Sequence, residues 1–234
     1  MPNGWEESAS AWIEEMADRG DYGREFVLDA PMMERVRAKE FRTALDVGCG
    51  EGRFCRMMRA GGVETVGIDP TASLIQHAQH RDPLGDYRIG RAEAIDFPDE
   101  AFELVVSYLS LIDIPDITQA IPEMVRVLRP GGTLLIANLN GFATATVGGW
   151  TQDADGQKRF MIDNYLTERS EWAAWRGIRI RNWHRPLSLY ISALIGEGLN
   201  LRYFSEPAPR GGDPAKSDLY RRVPLFMVME WQKL

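Results

Sequence analysis

A chain of 234 residues, 44% apolar and 26% charged, can bury a sizeable core and need not be disordered. At roughly 100 to 200 residues per domain, this length fits one α/β domain, residues 1–234, carrying an insertion. With 27 basic against 34 acidic residues the molecule repels polyanions, so nucleic acid is not an expected partner.

No apolar run approaches the ~18 residues of a membrane span; "TLLIA" from Thr133 is typical. The first residues lack the basic start and apolar segment of a secretory signal. Cys49 and Cys55 are the only cysteines, and there is no Asn-x-Ser/Thr acceptor. A cytoplasmic protein, monomer or homodimer, with no membrane association is expected.

Residues 5 to 19 place Trp5, Ala9, Trp12, Ile13 and Met16 at helical spacing, and a second helix is expected from Glu25 to Lys39, so that residues 1–40 form an N-terminal helical segment. The period then changes. "TALDVG" is a short apolar run bounded by glycine and reads as a strand buried on both faces. A helix follows from Gly52 to Arg59, ended by Gly61 and Gly62, and "VETVGIDP" is a second strand. "TASLIQHAQHRD" reads as a helix with Thr71 available as its N-cap. "DYRIGRAEAIDF" supplies a third strand and "FELVVSYLS" a fourth. A helix over 122–128 stops at a turn in "LRPGG", and "TLLIANL" is the fifth strand. Strands alternating with helices at this spacing imply βαβ crossovers and a mostly parallel sheet covered on both faces.

Beyond Asn140 the rhythm breaks. Residues 141–185 hold four of the seven tryptophans and read as an aromatic-rich cap insertion, with the alternation of Ile178, Ile180 and Asn182 against Arg179 and Arg181 suiting a half-exposed strand. "PLSLYISALIGEGL" is then a helix, and "NLRYFSEP" and "VPLFMVMEW" are strands. "APRGGDPAKSDLYRR" between them reads as a mobile surface loop.

In an open parallel sheet ligands bind beyond the carboxyl ends of the strands, where strand order reverses, and the glycine loop after the first strand sits there. Gly48 and Gly50 lack side chains, so the backbone can approach a ligand, and the next helix offers free N–H groups to an anion. Asp69, 19 residues after Gly50 and at the end of the second strand, is placed to accept hydrogen bonds from a ribose diol. The spacing Gly48, Gly50, Gly52 departs from the dinucleotide fingerprint G-x-G-x-x-G, and no P-loop is present.

"ALDVGCGEGR", "VGIDP", "RAEAIDFPDEAFELVVS" and "RVLRPGGTLLIANL" resemble, in order and spacing, successive motifs of the class I S-adenosylmethionine-dependent methyltransferases, particularly the small-molecule enzymes, over roughly residues 41–140. The resemblance implies a Rossmann-like, doubly wound α/β fold with a seven-stranded sheet, mostly parallel, its last strand antiparallel. It implies S-adenosylmethionine as cofactor and S-adenosylhomocysteine as product. Carried over by residue, it assigns Asp46, Gly48 and Gly50 to the methionine moiety, Asp69 to the ribose, Pro70 to the adenine flank, and Ala92 and Glu93 to the adenine ring and its amino group. Ser107, Tyr108 and Leu109 fall beneath the sulfonium. Arg91 stands where the family often has Asp, so the adenine amino contact must come from elsewhere.

Methyl transfer from a sulfonium chiefly requires alignment and exclusion of water. A hydroxyl or ammonium acceptor also needs a base, and His184 in "NWHRPLSLY", on the side where a substrate should arrive, is the candidate; His77 and His80 are expected to face solvent. Tyr22 and Arg24 either close over the methionine end, Arg24 meeting its carboxylate, or form a solvated turn. The cap tryptophans either hold an acceptor or pack the cap onto the body. Cys49 is expected to point into the sheet–helix interface, and neither cysteine has metal-ligand spacing. The expected activity is methylation of a small-molecule acceptor on oxygen or nitrogen. The alternatives are a non-catalytic cofactor-binding regulator or partner protein and, further off, a nicotinamide-dependent oxidoreductase.

Overall fold

The structure, a computed structural model, describes residues 3–234. Met1 and Pro2, which open the expected N-terminal helical segment, lie outside the described residues. Helix α1 (Trp5–Met16) buries Ala9, Trp12 and Met16 on one face, as their spacing requires. A single π-helical turn (Arg24–Leu28) runs directly into α2 (Asp29–Arg37).

The βα alternation then begins: β1 (Thr43–Val47), α3 (Arg53–Ala60), β2 (Glu64–Asp69), α4 (Ala72–Arg81), β3 (Asp86–Ile89), β4 (Phe102–Tyr108), α5 (Ile117–Arg126) and β5 (Leu128–Leu139). The chain continues through the single turn α6 (Gly141–Thr144) into two hairpins, β6 (Thr146–Gln152) with β7 (Lys158–Ile162) and β8 (Arg169–Trp175) with β9 (Ile178–His184). It returns to the sheet through α7 (Leu187–Gly196), β10 (Asn200–Ser205), α8 (Pro214–Arg222) and β11 (Phe226–Gln232).

The seven-stranded sheet has the order β3-β2-β1-β4-β5-β11-β10. Strands β1 to β5 pair in parallel, whereas β11 is antiparallel to both of its neighbours. Strand order reverses between β1 and β4, so their carboxyl ends open a crevice. The central strands are apolar on both faces. Leu45, Val47 and Val105 pack beneath α5 and α7, while Ala44, Leu104 and Val106 pack beneath α2 and α3. This alternation explains why β1 reads as a continuous apolar run.

The β8–β9 hairpin and α1 form one layer over the crevice. Ile178 and Ile180 are buried with Ala9, Trp12, Met16 and Leu74. The Ser8 hydroxyl bonds both the carbonyl and the N–H of Arg179 (3.1 and 2.9 Å), and Arg181 N–H donates to the Asn3 carbonyl (2.9 Å). Ile178 and Ile180 thus face inward, as the alternation indicates.

Several boundaries differ from expectation. α5 begins five residues before Pro122, because the Asp116 carboxylate caps it by accepting from Thr118 N–H (3.0 Å) and Gln119 N–H (3.3 Å). The supposed loop over 208–222 contains α8, started by Asp213, which accepts from Lys216 N–H (2.7 Å), with Pro214 in the first turn. Thr71 occupies the N-cap position of α4 without a side-chain cap, its hydroxyl as well as its N–H being turned to Asp69. β5 starts at Leu128, its pairing with β4 interrupted near Pro130 and Gly131. Among the described residues no helix is long and apolar enough to cross a membrane.

The Asp116 cap gives a direct test. Asp116→Ala removes the acceptor for two N–H groups and should lower unfolding free energy by about 1 kcal/mol in urea titrations, with the slope unchanged.

Candidate functional site

A cavity of about 590 Å³ opens at the carboxyl ends of β1, β2 and β4, within the range of about 300 to 1,000 Å³ usual for small-molecule sites. Three glycines shape its floor, and they do so differently. Gly48, Gly50 and Gly52 all have positive φ (78°, 55° and 78°), a region that other residues enter at a cost. A Cβ on Gly48 would stand 2.4 Å from Ser110 Cβ, and one on Gly52 would stand 2.5 Å from the Tyr87 ring. Only at Gly50 would the added atom meet open space, its nearest neighbour being Trp12 Nε1 at 3.8 Å. Gly48 and Gly52 are therefore glycine because protein atoms press on them, whereas Gly50 is pressed by none and leaves its bare backbone to the cavity.

Asp69 holds this floor together. Its Oδ2 accepts from Gly50 N–H (3.0 Å) and its Oδ1 from Thr71 N–H (2.8 Å), which joins the loop after β1 to the loop after β2. Lone pairs remain on both oxygens for further donors. Burial raises its pKa in spite of these two bonds. Asp46, one strand inward, is almost wholly buried; its Oδ2 accepts from the Cys55 thiol (3.4 Å) and its Oδ1 has no partner. Burial pushes its pKa up to about 7, opposed by the thiol bond and reinforced by the charges of Asp69 and Glu51.

Of the residues singled out in the sequence, Asp46, Gly48, Gly50, Asp69, Pro70, Ala92, Glu93, Tyr108, Leu109 and Arg24 line this one cavity. Leu109 has a φ of 57°, unusual for a branched side chain, at the point where β4 ends. The Tyr108 hydroxyl donates to Asp29 Oδ1 (2.8 Å), and the same carboxylate is paired to Arg53. Arg24 is not part of a solvated turn. Its side chain is only 13% exposed, pairs with Asp21 (2.7 Å), and sits 4.8 Å from the Trp12 ring centroid and 5.8 Å from that of Tyr108. Arg91 lies at the rim, within 3.4 Å of Glu93.

Three expected residues are elsewhere. Ser107 is fully buried and pairs with Ser110 (2.7 Å); it is Ser110 that reaches the cavity, donating to the Val47 carbonyl (2.6 Å). Tyr22 points toward α8, bonding the Ser217 hydroxyl (2.7 Å) and packing on Phe26 and Tyr220. His184 does not line the cavity. Its Nε2 faces the Tyr165 carbonyl (2.8 Å) and so carries the proton, which leaves Nδ1 to accept from the Thr144 hydroxyl (2.7 Å). Both nitrogens are used, and burial lowers its pKa below the usual 6.5. The neutral ring is a strut between α6, β9 and the segment before β8. Cys49 lies where expected, buried with Cys55, Ile75, Ala78 and Tyr87.

Of the wall opposite the glycines, the sequence reaches only the tryptophans of the N-terminal helix and the cap, and those as one of two alternatives. Trp5, Trp12, Asp113, Ile114, Ser170, Arg181 and Trp183 complete the cavity beneath the α1 and β8–β9 layer. Asp113, in the loop between β4 and α5, accepts from Asn182 Nδ2 and is also bonded by the Trp5 indole. That loop is fixed by Arg185, which is 1% exposed. Its guanidinium donates to the carbonyls of Leu111 (3.1 Å), Ile114 (3.0 Å) and Pro115 (2.9 Å) and pairs with Glu168 (2.6 Å).

A family model described as a methyltransferase domain matches residues 45–136, which run from β1 to β5. A malonyl-[acyl-carrier protein] O-methyltransferase of Salmonella typhimurium is 32% identical over 172 residues, covering 73% of this chain and 67% of that protein. The chain belongs to the class I S-adenosylmethionine-dependent methyltransferases. A ubiquinone biosynthesis O-methyltransferase of Bradyrhizobium is 35% identical over 151 residues, covering 54% of this chain and 59% of that protein. Against the first curated relatives it matches, this methyltransferase spans about half of their length (52% and 45%). A crystal structure of a Listeria monocytogenes protein described as a putative S-adenosylmethionine-dependent methyltransferase superposes with a TM-score of 0.76 at 23% identity, covering 88% of this chain and 97% of that one, and so shares its fold.

The residues of this methyltransferase fit the family's cofactor. Asp46 leaves one carboxylate oxygen without a protein partner at the cavity floor, Gly50 presents unencumbered backbone, and Asp69 keeps lone pairs at the strand end.

Two substitutions check this floor. Gly48→Ala combines a left-handed φ with a clash on Ser110 and should destabilise the fold by about 1 to 3 kcal/mol, measured by thermal or urea unfolding. Asp46 holds its proton when folded up to about pH 7, whereas the unfolded chain gives it up near 3.8, so its contribution to stability is full at low pH and is lost as pH climbs through that window. Asp46→Asn removes the loss, so its melting temperature should exceed that of the parent at pH 8 and the difference should shrink toward pH 4.

Proposed function

We propose that the protein transfers a methyl group from S-adenosylmethionine to a small-molecule acceptor, on oxygen or nitrogen, by in-line displacement. The observation that carries this reading is that one cavity runs without interruption from Pro70, Ala92 and Glu93, past Gly50 and Asp69, to Asp113, Arg181 and Trp183. A site that only bound a nucleoside would have no use for the second half. The naming of relatives as O-methyltransferases supports oxygen as the receiving atom.

When bound, the cofactor supplies a methyl on a positively charged sulfur with a neutral leaving group. The chain's own residues then have three tasks. Asp69 accepts from the ribose hydroxyls, with Pro70, Ala92 and Glu93 flanking the base. Gly50, Asp46 and Arg24 meet the amino-acid end, where the Arg24 guanidinium supplies a positive charge suited to a carboxylate. Trp12, Tyr108 and Leu109 border the reacting centre with apolar surface that excludes water and fixes the line of approach.

Calorimetric titration with S-adenosylmethionine, S-adenosylhomocysteine and NAD tests the reading, followed by methyl transfer to a mixture of small hydroxyl and amine compounds. Binding of the first two without NAD, and transfer to a compound in the mixture, are expected. NAD binding alone would overturn it, and cofactor binding without transfer would favour a regulator. Asp69→Ala should weaken S-adenosylmethionine binding about 10- to 100-fold, the worth of one or two charge-assisted hydrogen bonds.

A further inference from the structure

Asp113 is an acid in an unusual place. It follows the apolar run "YLSLI" at the carboxyl edge of the sheet and lines the cavity together with Arg24 and Arg181. Asp113 is half-buried, and a carboxylate withdrawn from water for structural reasons is normally paired to a cation. Here its named partners are both neutral, the Asn182 amide from β9 and the Trp5 indole from α1. Two neutral donors leave about half of the carboxylate's lone-pair positions for a donor arriving from the cavity.

Much of the neighbourhood serves to hold this group in place. Arg185 is spent on the three carbonyls that flank Asp113 in its loop, and Trp183 N–H donates to the carbonyl of Ile112 (2.6 Å). A loop immobilised on both sides of one residue fixes the direction of that residue's side chain, as a proton acceptor in catalysis requires.

We propose that Asp113 is the general base, taking the proton from a phenol-like hydroxyl of the acceptor; this rests on the methyltransferase reading above. In the step, the acceptor oxygen forms a bond to the methyl carbon while the carbon–sulfur bond breaks and its electron pair stays on sulfur. The O–H proton passes to the Asp113 carboxylate, which afterwards releases it to water. Nothing is oxidised or reduced: sulfur is neutralised by the electron pair it keeps, and the positive charge leaves as the proton that Asp113 takes.

The chemistry of the group selects the acceptor class. Burial pushes the Asp113 pKa up to about 8, with the nearby Asp69 charge in the same direction, while the Asn182 bond and the Arg24 charge oppose it. Arg181 lines the same end of the cavity. A base of this strength matches a hydroxyl of phenolic acidity, near 10, far better than an aliphatic alcohol. The indoles of Trp5 and Trp183 on the same wall offer flat apolar surface suited to an aromatic ring.

The test has three arms, all on the full chain. In the first, calorimetry measures S-adenosylmethionine binding by the parent and by Asp113→Asn; equal affinity is expected, and absence of binding to the parent overturns the methyltransferase reading itself. In the second, a panel of phenols that includes catechol and 4-nitrophenol is offered with S-adenosylmethionine. Transfer to at least one, with kcat/KM rising to a plateau above about pH 8 and falling 100-fold or more in Asp113→Asn, is expected. Transfer to amines only, or an Asp113→Asn variant within threefold of the parent, overturns the assignment. The third arm needs no activity. Intrinsic tryptophan fluorescence of the ligand-free parent should show a transition near pH 8 that is lost in Asp113→Asn and moved to higher pH in Asn182→Ala, because the amide favours the ionised carboxylate. A transition that persists unchanged in Asp113→Asn overturns the proposal.

Discussion

The two bonds that Asp69 accepts, from Gly50 N–H and Thr71 N–H, join the two loops that border the reversal of strand order. A parallel sheet leaves a crevice at such a point only if the loops on either side are kept apart and in register. A buried carboxylate does this with two backbone donors, joined by the Thr71 hydroxyl, and keeps lone pairs for further donors. Gly50 can then lie bare, since its N–H is already satisfied and no side chain is needed to hold it. Asp46 sits beneath with one oxygen unpartnered, and burial raises its pKa so that the proton stays in place near neutrality.

The sheet was legible because β1, β4 and β5 each carry an apolar run buried on both faces, and because such strands cannot be mistaken for amphipathic helices. The residues on the cofactor side of the cavity were legible for the same reason: they are strand ends and the turns next to them, where sequence position fixes spatial position. Gly48 and Gly52 show the limit of this. Their glycine character is dictated by Ser110 and Tyr87, residues whose proximity no pattern within the loop discloses. Ser107 and Ser110 show another limit, since one turn of chain decides which hydroxyl reaches the cavity.

The acceptor wall was largely illegible because it is assembled from α1, the loop after β4 and the β8–β9 hairpin, segments with no common period. His184 drew attention by residue type and by its place before a helix. The fold instead uses it as a neutral strut, and the adjacent Arg185 carries the heavier structural duty. Two signals were nevertheless present. An acid closing an apolar run at the carboxyl edge of a central strand, as in Asp113, is a half-buried polar residue that requires an explanation. An Asp-Pro pair at Asp213 and Pro214 announces a helix start even within a stretch rich in glycine.

The seam between α1 and β9 has a bearing on how the molecule acquires its shape. Ser8 and Arg179 stand 171 positions apart, so their mutual bonds close one of the largest rings in the chain. Such a ring is entropically dear to close early, whereas the sheet and its crossovers grow from near neighbours. The roof therefore closes later than the crossovers that link β1 to β5. During synthesis α1, made well before β8 and β9, must wait for the hairpin's arrival before the chamber has a ceiling.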